Sequence, residues 1–296
     1  KGAGRNISIG EETFIQNEES ILDAVKTQFH DSDFIWVVAG LGGGTGTGSV
    51  IKAAKLLNDN GFKKKFGLIL TLPRKSEGRT VLSNALERLQ TISKVMRGLG
   101  SVIIVDNQKL YDYYAKFQPN ASVSDYLSFS NQYVAETLHE LNVVTSSFKP
   151  YGEYHFDSSE FENLVKTPGI LHFAKFSVPA NSVDTEQSLT YVGRLKENIE
   201  NGVLSDVYIL QNSSRSAVSV VTSNHTAKRV FNMQFNLAIE TLIDGMAPAA
   251  TEKPVAQYVY NVNNKNDVYF YAVFAGLSIP SSIKTLIEEN NKLEEL

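Results

Sequence analysis

The string Gly42-Gly43-Gly44-Thr45-Gly46-Thr47-Gly48 holds five glycines in seven residues. Glycine has no Cβ, so successive backbone N–H groups can converge on phosphate oxygens, and a following helix adds its positive end. Thr45 and Thr47 add hydroxyl donors. No Lys follows the glycines at the spacing of a Walker A loop, which excludes that motif. No acidic residue closes the next apolar run, Leu70-Thr71-Leu72, so a dinucleotide fingerprint with its ribose-holding carboxylate is not met either. What remains is phosphate binding by backbone amides.

A second group is Asp157-Ser158-Ser159-Glu160, two carboxylates three residues apart. It reads as a helix-starting capping box before Phe161-Glu162-Asn163-Leu164, and a capped helix end is also a rigid place to present acids. Arg5 reads equally as a phosphate contact or a solvated cation. The five histidines show no metal-ligand spacing, and His139-Glu140 lacks a second His four residues on, so no protein metal site is expected. Lys63-Lys64-Lys65 reads as a solvated turn.

The elements that must hold these residues alternate. Apolar positions over residues 11–30 have helical spacing. Phe34–Ala39 is a continuous apolar run of the kind found in a strand buried on both faces. Past the glycines, Val50 to Asn58 reads as a helix ended by Asn60-Gly61, Phe66–Thr71 as a second buried strand, and residues 80–97 as a helix ended by Gly98. Ser101–Val105 is a third strand. This order predicts βαβ units, a parallel sheet and ligands at the strands' C-terminal ends. Residues 122–146 read as a long helix. Beyond residue 168 the runs Ile170–Val178, Val207–Leu210, Val218–Thr222 and Val268–Phe274 alternate with two helices, an α+β pattern. Residues 281–296 read as a terminal helix.

Composition sets the limits. At 296 residues the chain can form two domains with a large core. A net charge of −4 makes direct nucleic-acid binding unexpected. The absence of cysteine excludes disulfides, thiolate catalysis and Cys-ligated zinc, and fits a reducing cytoplasm. No apolar run reaches the ~18 residues of a membrane helix. The start at Lys1, directly on a Gly-Ala-Gly turn, reads as a chain lacking its first segment.

On these residues the chain resembles the tubulin and FtsZ superfamily, whose signature loop has the form of residues 42–48 after an apolar strand. Gly2-Ala3-Gly4-Arg5-Asn6, with Gly10 just after, resembles the loop that wraps the terminal phosphate. Pro73 and Glu77-Gly78-Arg79 resemble the loop whose Glu holds the ribose. Asn107, followed by Lys109-Leu110, resembles the segment whose Asn reads the guanine edge, and Asn131 falls at the second base-reading Asn. Phe156-Asp157-Ser158-Ser159-Glu160 resembles the loop whose two acids enter the next subunit's nucleotide site. The resemblance covers residues 1–178 well and the rest in outline.

The resemblance implies a Rossmann-like parallel-sheet GTPase domain over residues 1–121 and a central helix over 122–150. It implies an α+β activating domain over 151–280 and a C-terminal helix over 281–296. It also implies bound GTP or GDP with Mg²⁺, longitudinal self-assembly, and catalysis by Asp157 and Glu160 acting in trans. A further phosphate loop is expected on strands preceding Lys1. Three positions depart from the FtsZ pattern: Gln132 replaces an Asp, Val81 an Arg, and His155 an Asn. These turn the resemblance toward the TubZ branch, which is plasmid- or phage-borne. That branch implies DNA segregation through a small DNA-binding adaptor (TubR-like) bound by a tail beyond Leu296. An FtsZ-like division or scaffold filament is the alternative.

Overall fold

The computed structural model describes residues 2–153, 155–205, 208–260 and 266–294. The helices in chain order are α1 (Ile7–Gln16), α2 (Glu18–Gln28), α3 (Gly44–Leu57), α4 (Arg79–Val95), α5 (Asn107–Phe117), α6 (Val123–Ser147), α7 (Ser158–Lys166), α8 (Val192–Glu200), α9 (Asn224–Val230), α10 (Met233–Met246) and α11 (Ser281–Glu294). The strands are β1 (Ile35–Gly40), β2 (Phe66–Leu72), β3 (Ser101–Asp106), β4 (Lys149–Pro150), β5 (Gly169–Pro179), β6 (Arg215–Ser223), β7 (Val255–Tyr260) and β8 (Asp267–Leu277). Two compact units result. One comprises Lys1–Asn131, Pro168–Ile170 and Ser278–Leu296; the other comprises Gln132–Thr167 and Leu171–Leu277.

In the first unit β1, β2 and β3 lie side by side and parallel, with Gly40 level with Thr71 and Leu72 level with Asp106. The first residues of β5 extend the row beside β3, Ser101 facing Gly169. All three βα turns therefore leave from one edge, where ligands bind in open α/β sheets. β2 is buried almost throughout and β3 nearly so, as their apolar runs predict. The run at β1 behaves differently. β1 pairs only with β2 among the described strands, and Val38 stays 67% exposed, so the strand is not buried on both faces.

Two further expectations change in this unit. The helical stretch at 11–30 is two helices, because Asn17 leaves helical geometry with ψ +11° while its amide nitrogen donates to Thr13 O at 2.8 Å. The helix expected from Val50 starts six residues earlier, at Gly44. Glycine costs about 1 kcal/mol per helical position relative to Ala. Here that cost is offset by close packing of α1 on α3. A Cβ on Gly48 would lie 2.4 Å from Ile7 O, and one on Gly10 2.2 Å from Gly44 O. α5 was not read from the sequence, although Asp106 starts it with a side chain that accepts from Gln108 N at 2.8 Å and Lys109 N at 3.3 Å.

The second unit has the strand order β5-β8-β6-β7-β4. β6 runs antiparallel to β8 and parallel to β7, and β4 pairs antiparallel with β7. Of the strand expected at Val207–Leu210, the described residues 208–210 are not in a strand. Val207 lies outside the described residues, and Leu210–Asn212 is a single 3-10 turn. Three helices, α8, α9 and α10, stand where two were expected before residue 281. Asn232 divides the last pair by capping α10, its side chain accepting from Phe235 N at 2.9 Å. The terminal helix ends at Glu294; Glu295 and Leu296 lie outside the described residues.

Candidate functional site

The glycine turn is built in layers. Gly42 has φ +106°, and a Cβ there would sit 2.5 Å from Val81 Cγ1 and 2.9 Å from Val81 O. Its N–H donates to Thr47 Oγ1 at 2.8 Å, and Thr47 is fully buried. Gly42 and Thr47 thus hold the turn together from within, and only Gly43, Thr45 and Gly46 present accessible surface. α3 opens at Gly44 with no side-chain cap on Gly43. Its first N–H groups have no intrahelical partner, and with the helix dipole such an end has the character of an anion cradle.

Residues 2–6 form a second cradle. Gly4 and Arg5 follow one another with φ +57° and +66°, the two central residues of a tight turn. Asn6 closes it: its N–H donates to Ala3 O at 2.9 Å, and its side chain caps α1 by accepting from Ile9 N at 3.2 Å. Ala3 is buried, while Gly2, Gly4, Arg5 and Asn6 are exposed. The two cradles touch, since a Cβ on Gly44 would lie 2.6 Å from Ala3 Cβ.

Asn84, on α4, spans both cradles and was not singled out by sequence. Its amide donates to Arg5 O at 3.0 Å and to Gly42 O at 3.1 Å. One turn further, the largely buried Arg88 pairs with Glu11 of α1 at 2.9 Å.

After β2, Pro73 is buried against the Gly42 turn, and Arg74 to Glu77 form a tight turn. Glu77 closes that turn, its carboxylate accepting from Arg74 N at 2.8 Å. The next βα turn is tied to it: Lys75 N donates to Gln108 Oε1 at 3.1 Å, and the Arg74 guanidinium lies 4.8 Å from the Tyr111 ring and 5.4 Å from that of Tyr126. Asn107 is the half-buried first residue of α5, and its carbonyl accepts from Tyr126 Oη at 2.9 Å. Asn131 is exposed on α6, five residues beyond Tyr126. Burial pushes the Tyr126 hydroxyl up, partly offset by Arg74. The first unit thus gathers residues 2–6, 42–48, 73, 77 and 107 at linked turns of its sheet edge.

The acidic turn belongs to the second unit. Asp157 caps α7 in a reciprocal box: Glu160 N donates to Asp157 Oδ1 at 2.9 Å and Asp157 N to Glu160 Oε2 at 2.9 Å. The Ser159 hydroxyl donates to Asp157 Oδ1 at 2.6 Å. That bond, then the Glu160 N–H, and more weakly the nearby His155, hold the Asp157 carboxyl below its usual range. Asp157 is exposed, Glu160 half-buried. The preceding Phe156 is buried and bracketed by Tyr258 of β7. Phe156 N donates to the Tyr258 hydroxyl at 3.0 Å, and that hydroxyl donates to Phe156 O at 2.6 Å.

No group of three or more His, Cys, Asp or Glu that could hold a metal ion occurs among the described residues, and no described helix is long and apolar enough to cross a membrane.

Comparison with known proteins places this geometry. Residues 1–115 match the family profile "Tubulin/FtsZ family, GTPase domain", and residues 154–281 match "Tubulin-like protein TubZ, C-terminal domain". The chain is 41% identical over its whole length to the tubulin-like protein TubZ of Bacillus cereus, 68% of which it covers. Likeness to the cell division protein FtsZ of Haloferax mediterranei, 39% identity, is confined to 38% of this chain and 27% of that protein. Among solved structures, the GDP-form protofilaments of Bacillus thuringiensis serovar israelensis TubZ match with TM-score 0.79 at 17% identity, over 98% of this chain and 77% of the other. That likeness shows the fold.

Proposed function

Since this chain belongs to the TubZ family of tubulin-like proteins and carries the family's GTPase domain, we propose that it stacks into filaments whose GTP hydrolysis is completed by the acidic turn of the adjoining copy. TubZ structures include protofilaments and a two-stranded filament. The observation that carries the extension to catalysis is the build of the turn itself. Asp157 is exposed, its carboxylate accepts two hydrogen bonds and its N–H donates a third, and its pKa lies below the usual carboxylate value.

The phosphates lie on the uncapped start of α3 and on the Gly4-Arg5 turn, which supply N–H donors without reorganising. Glu77 is the ribose ligand, and Asn107 and Asn131 read the base edge. Asp157 and Glu160 orient the attacking water and take up its proton. Loss of activity in isolated subunits follows, because the acids come from the neighbour. The nucleotide's Mg²⁺ would be held at the phosphate end of the site, beside the start of α3 and the Gly4-Arg5 turn. When bound it neutralises charge on the phosphates.

The cellular role we propose is segregation of plasmid or phage DNA through a DNA-binding adaptor. The TubZ-type C-terminal domain over residues 154–281 supports this over the FtsZ-like alternative, as does identity to TubZ along the whole chain where that to FtsZ of Haloferax mediterranei spans 38% of it. Phosphate release against protein concentration tests the trans arrangement. Turnover per subunit should rise with assembly, and Asp157→Ala should assemble with GTP yet release no phosphate. Turnover independent of concentration, or undiminished in Asp157→Ala, overturns the reading.

A further inference from the structure

We propose that Asn84 is a positioning residue that sets the spacing of the two phosphate cradles and so determines the preference for a triphosphate over a diphosphate. The inference rests on the reading that both cradles hold phosphates.

Asn84 is half-buried on α4, and its amide nitrogen spends both protons on backbone carbonyls, Arg5 O in one cradle and Gly42 O in the other. These residues are 79 and 42 positions away in the chain, so nothing local holds the loops in step. A peptide unit that aims its N–H into a cradle must aim its carbonyl away from it. Asn84 holds the carbonyl of the Gly42–Gly43 peptide, whose N–H points the opposite way, and that of the Arg5–Asn6 peptide, whose N–H is spent on Ala3 O and closes the turn, so both loops are fixed against α4.

The rest of the same α4 face performs parallel work. Val81, three residues earlier, packs under Gly42, and Arg88, four residues later, is paired with Glu11 just beyond the Gly4-Arg5 turn. α4 is therefore a strut carrying both loops, and Asn84 bonds to the two at once.

A ligand with two phosphates can be satisfied by one cradle and part of the other. A third phosphate requires both at a fixed separation. Freeing the loops should therefore cost the triphosphate more than the diphosphate, because positional errors of an ångström weaken convergent charge-assisted bonds steeply.

The test is calorimetric titration of full chains with GTPγS and with GDP. In Asn84→Ala the dissociation constant for GTPγS should rise about tenfold and that for GDP by less than about threefold. KM for GTP should rise alongside. The thermal midpoint should hold, because Ala is the stronger helix former on a half-exposed face. Asn84→Asp provides a second, isosteric variant. It sets acceptor oxygens against two carbonyls, so its loss should exceed that of Ala. Equal weakening of both nucleotides, or none, in either variant overturns the proposal. Gly43→Asp separates this from failure of the cradle reading: it adds a favourable cap to α3 in open space but places a negative charge where phosphate would lie. If Gly43→Asp still binds both nucleotides, the cradle reading itself is wrong. If it binds neither while Asn84→Ala keeps normal discrimination, only the role of Asn84 falls.

Discussion

Tyr258→Phe isolates the support of the acidic turn from its chemistry. The substitution removes one oxygen that accepts from Phe156 N at 3.0 Å and donates to Phe156 O at 2.6 Å, at a site where both residues are buried. A net hydrogen bond contributes about 0.5–1.5 kcal/mol, and a buried backbone group left unpaired costs about 1–3 kcal/mol. The two bonds together put the loss at roughly 2–4 kcal/mol, a large share of a typical stability of about 5–15 kcal/mol. The ring stays, so no cavity adds to that figure. Denaturant unfolding, read as a shift in midpoint at constant slope, measures it.

The second readout is phosphate release normalised to assembled protein. Phe156 directly precedes Asp157, so loosening its backbone misplaces the carboxylate by an ångström or so. Such errors cost up to about a hundredfold in rate, and a fall of at least tenfold is expected, with filaments still forming. Unchanged stability would show that the bracket carries no energy. A stability loss with undiminished turnover would show that Tyr258 supports the fold and not the acids.

Other outcomes follow from the same geometry. Tyr191→Phe should be neutral or slightly stabilising by chemical denaturation, because the buried Tyr191 hydroxyl has no hydrogen-bond partner among the described residues. Gly48→Ala should destabilise by about 1–3 kcal/mol, against the ~1 kcal/mol gain that helix propensity alone predicts, since its Cβ would meet Ile7 O, Glu11 N and Gly10 C at 2.4–2.9 Å. Stability should fall as pH rises from about 10 toward 12. Burial, with Glu140 nearby, pushes the Tyr271 hydroxyl up to about 12, and burial also raises Tyr191 and Tyr258. In that window the unfolded chain releases phenolic protons that the folded chain retains, so ionisation favours unfolding. Tyr271 alone contributes of order 1–2 kcal/mol after allowance for its partial exposure. A flat stability profile above pH 10 would contradict this. The Asp157 carboxyl should titrate below the usual Asp midpoint in a carbon-detected NMR series, and Ser159→Ala should move it back up.

What the sequence disclosed were features written in short stretches. β2 and β3 are continuous apolar runs, α4 and α6 have long helical periods, and Asp157 with Glu160 is a capping box spaced by three residues. The glycine string was readable as a cradle, but its division of labour was not. That Gly42 and Thr47 bind each other, and that α3 begins at Gly44, depends on α1 packing against bare backbone. Asn84 and Tyr258 were invisible for the same reason. Each acts on backbone atoms 42 to 102 residues away, and neither belongs to a local pattern. The exposed face of β1 misled in the other direction, because an apolar run reports what a strand can bury and not what lies beside it.

α11 rests on α4, where Asn290 donates to the Ser83 hydroxyl at 3.2 Å, one residue before Asn84. Yet α11 lies far along the chain, beyond the whole second unit. During synthesis both cradles and their strut leave the ribosome some two hundred residues before the helix that covers the strut's outer side. The first unit is therefore not built from one contiguous stretch of chain. Its completion waits on translation of α11, the helix that packs on α4.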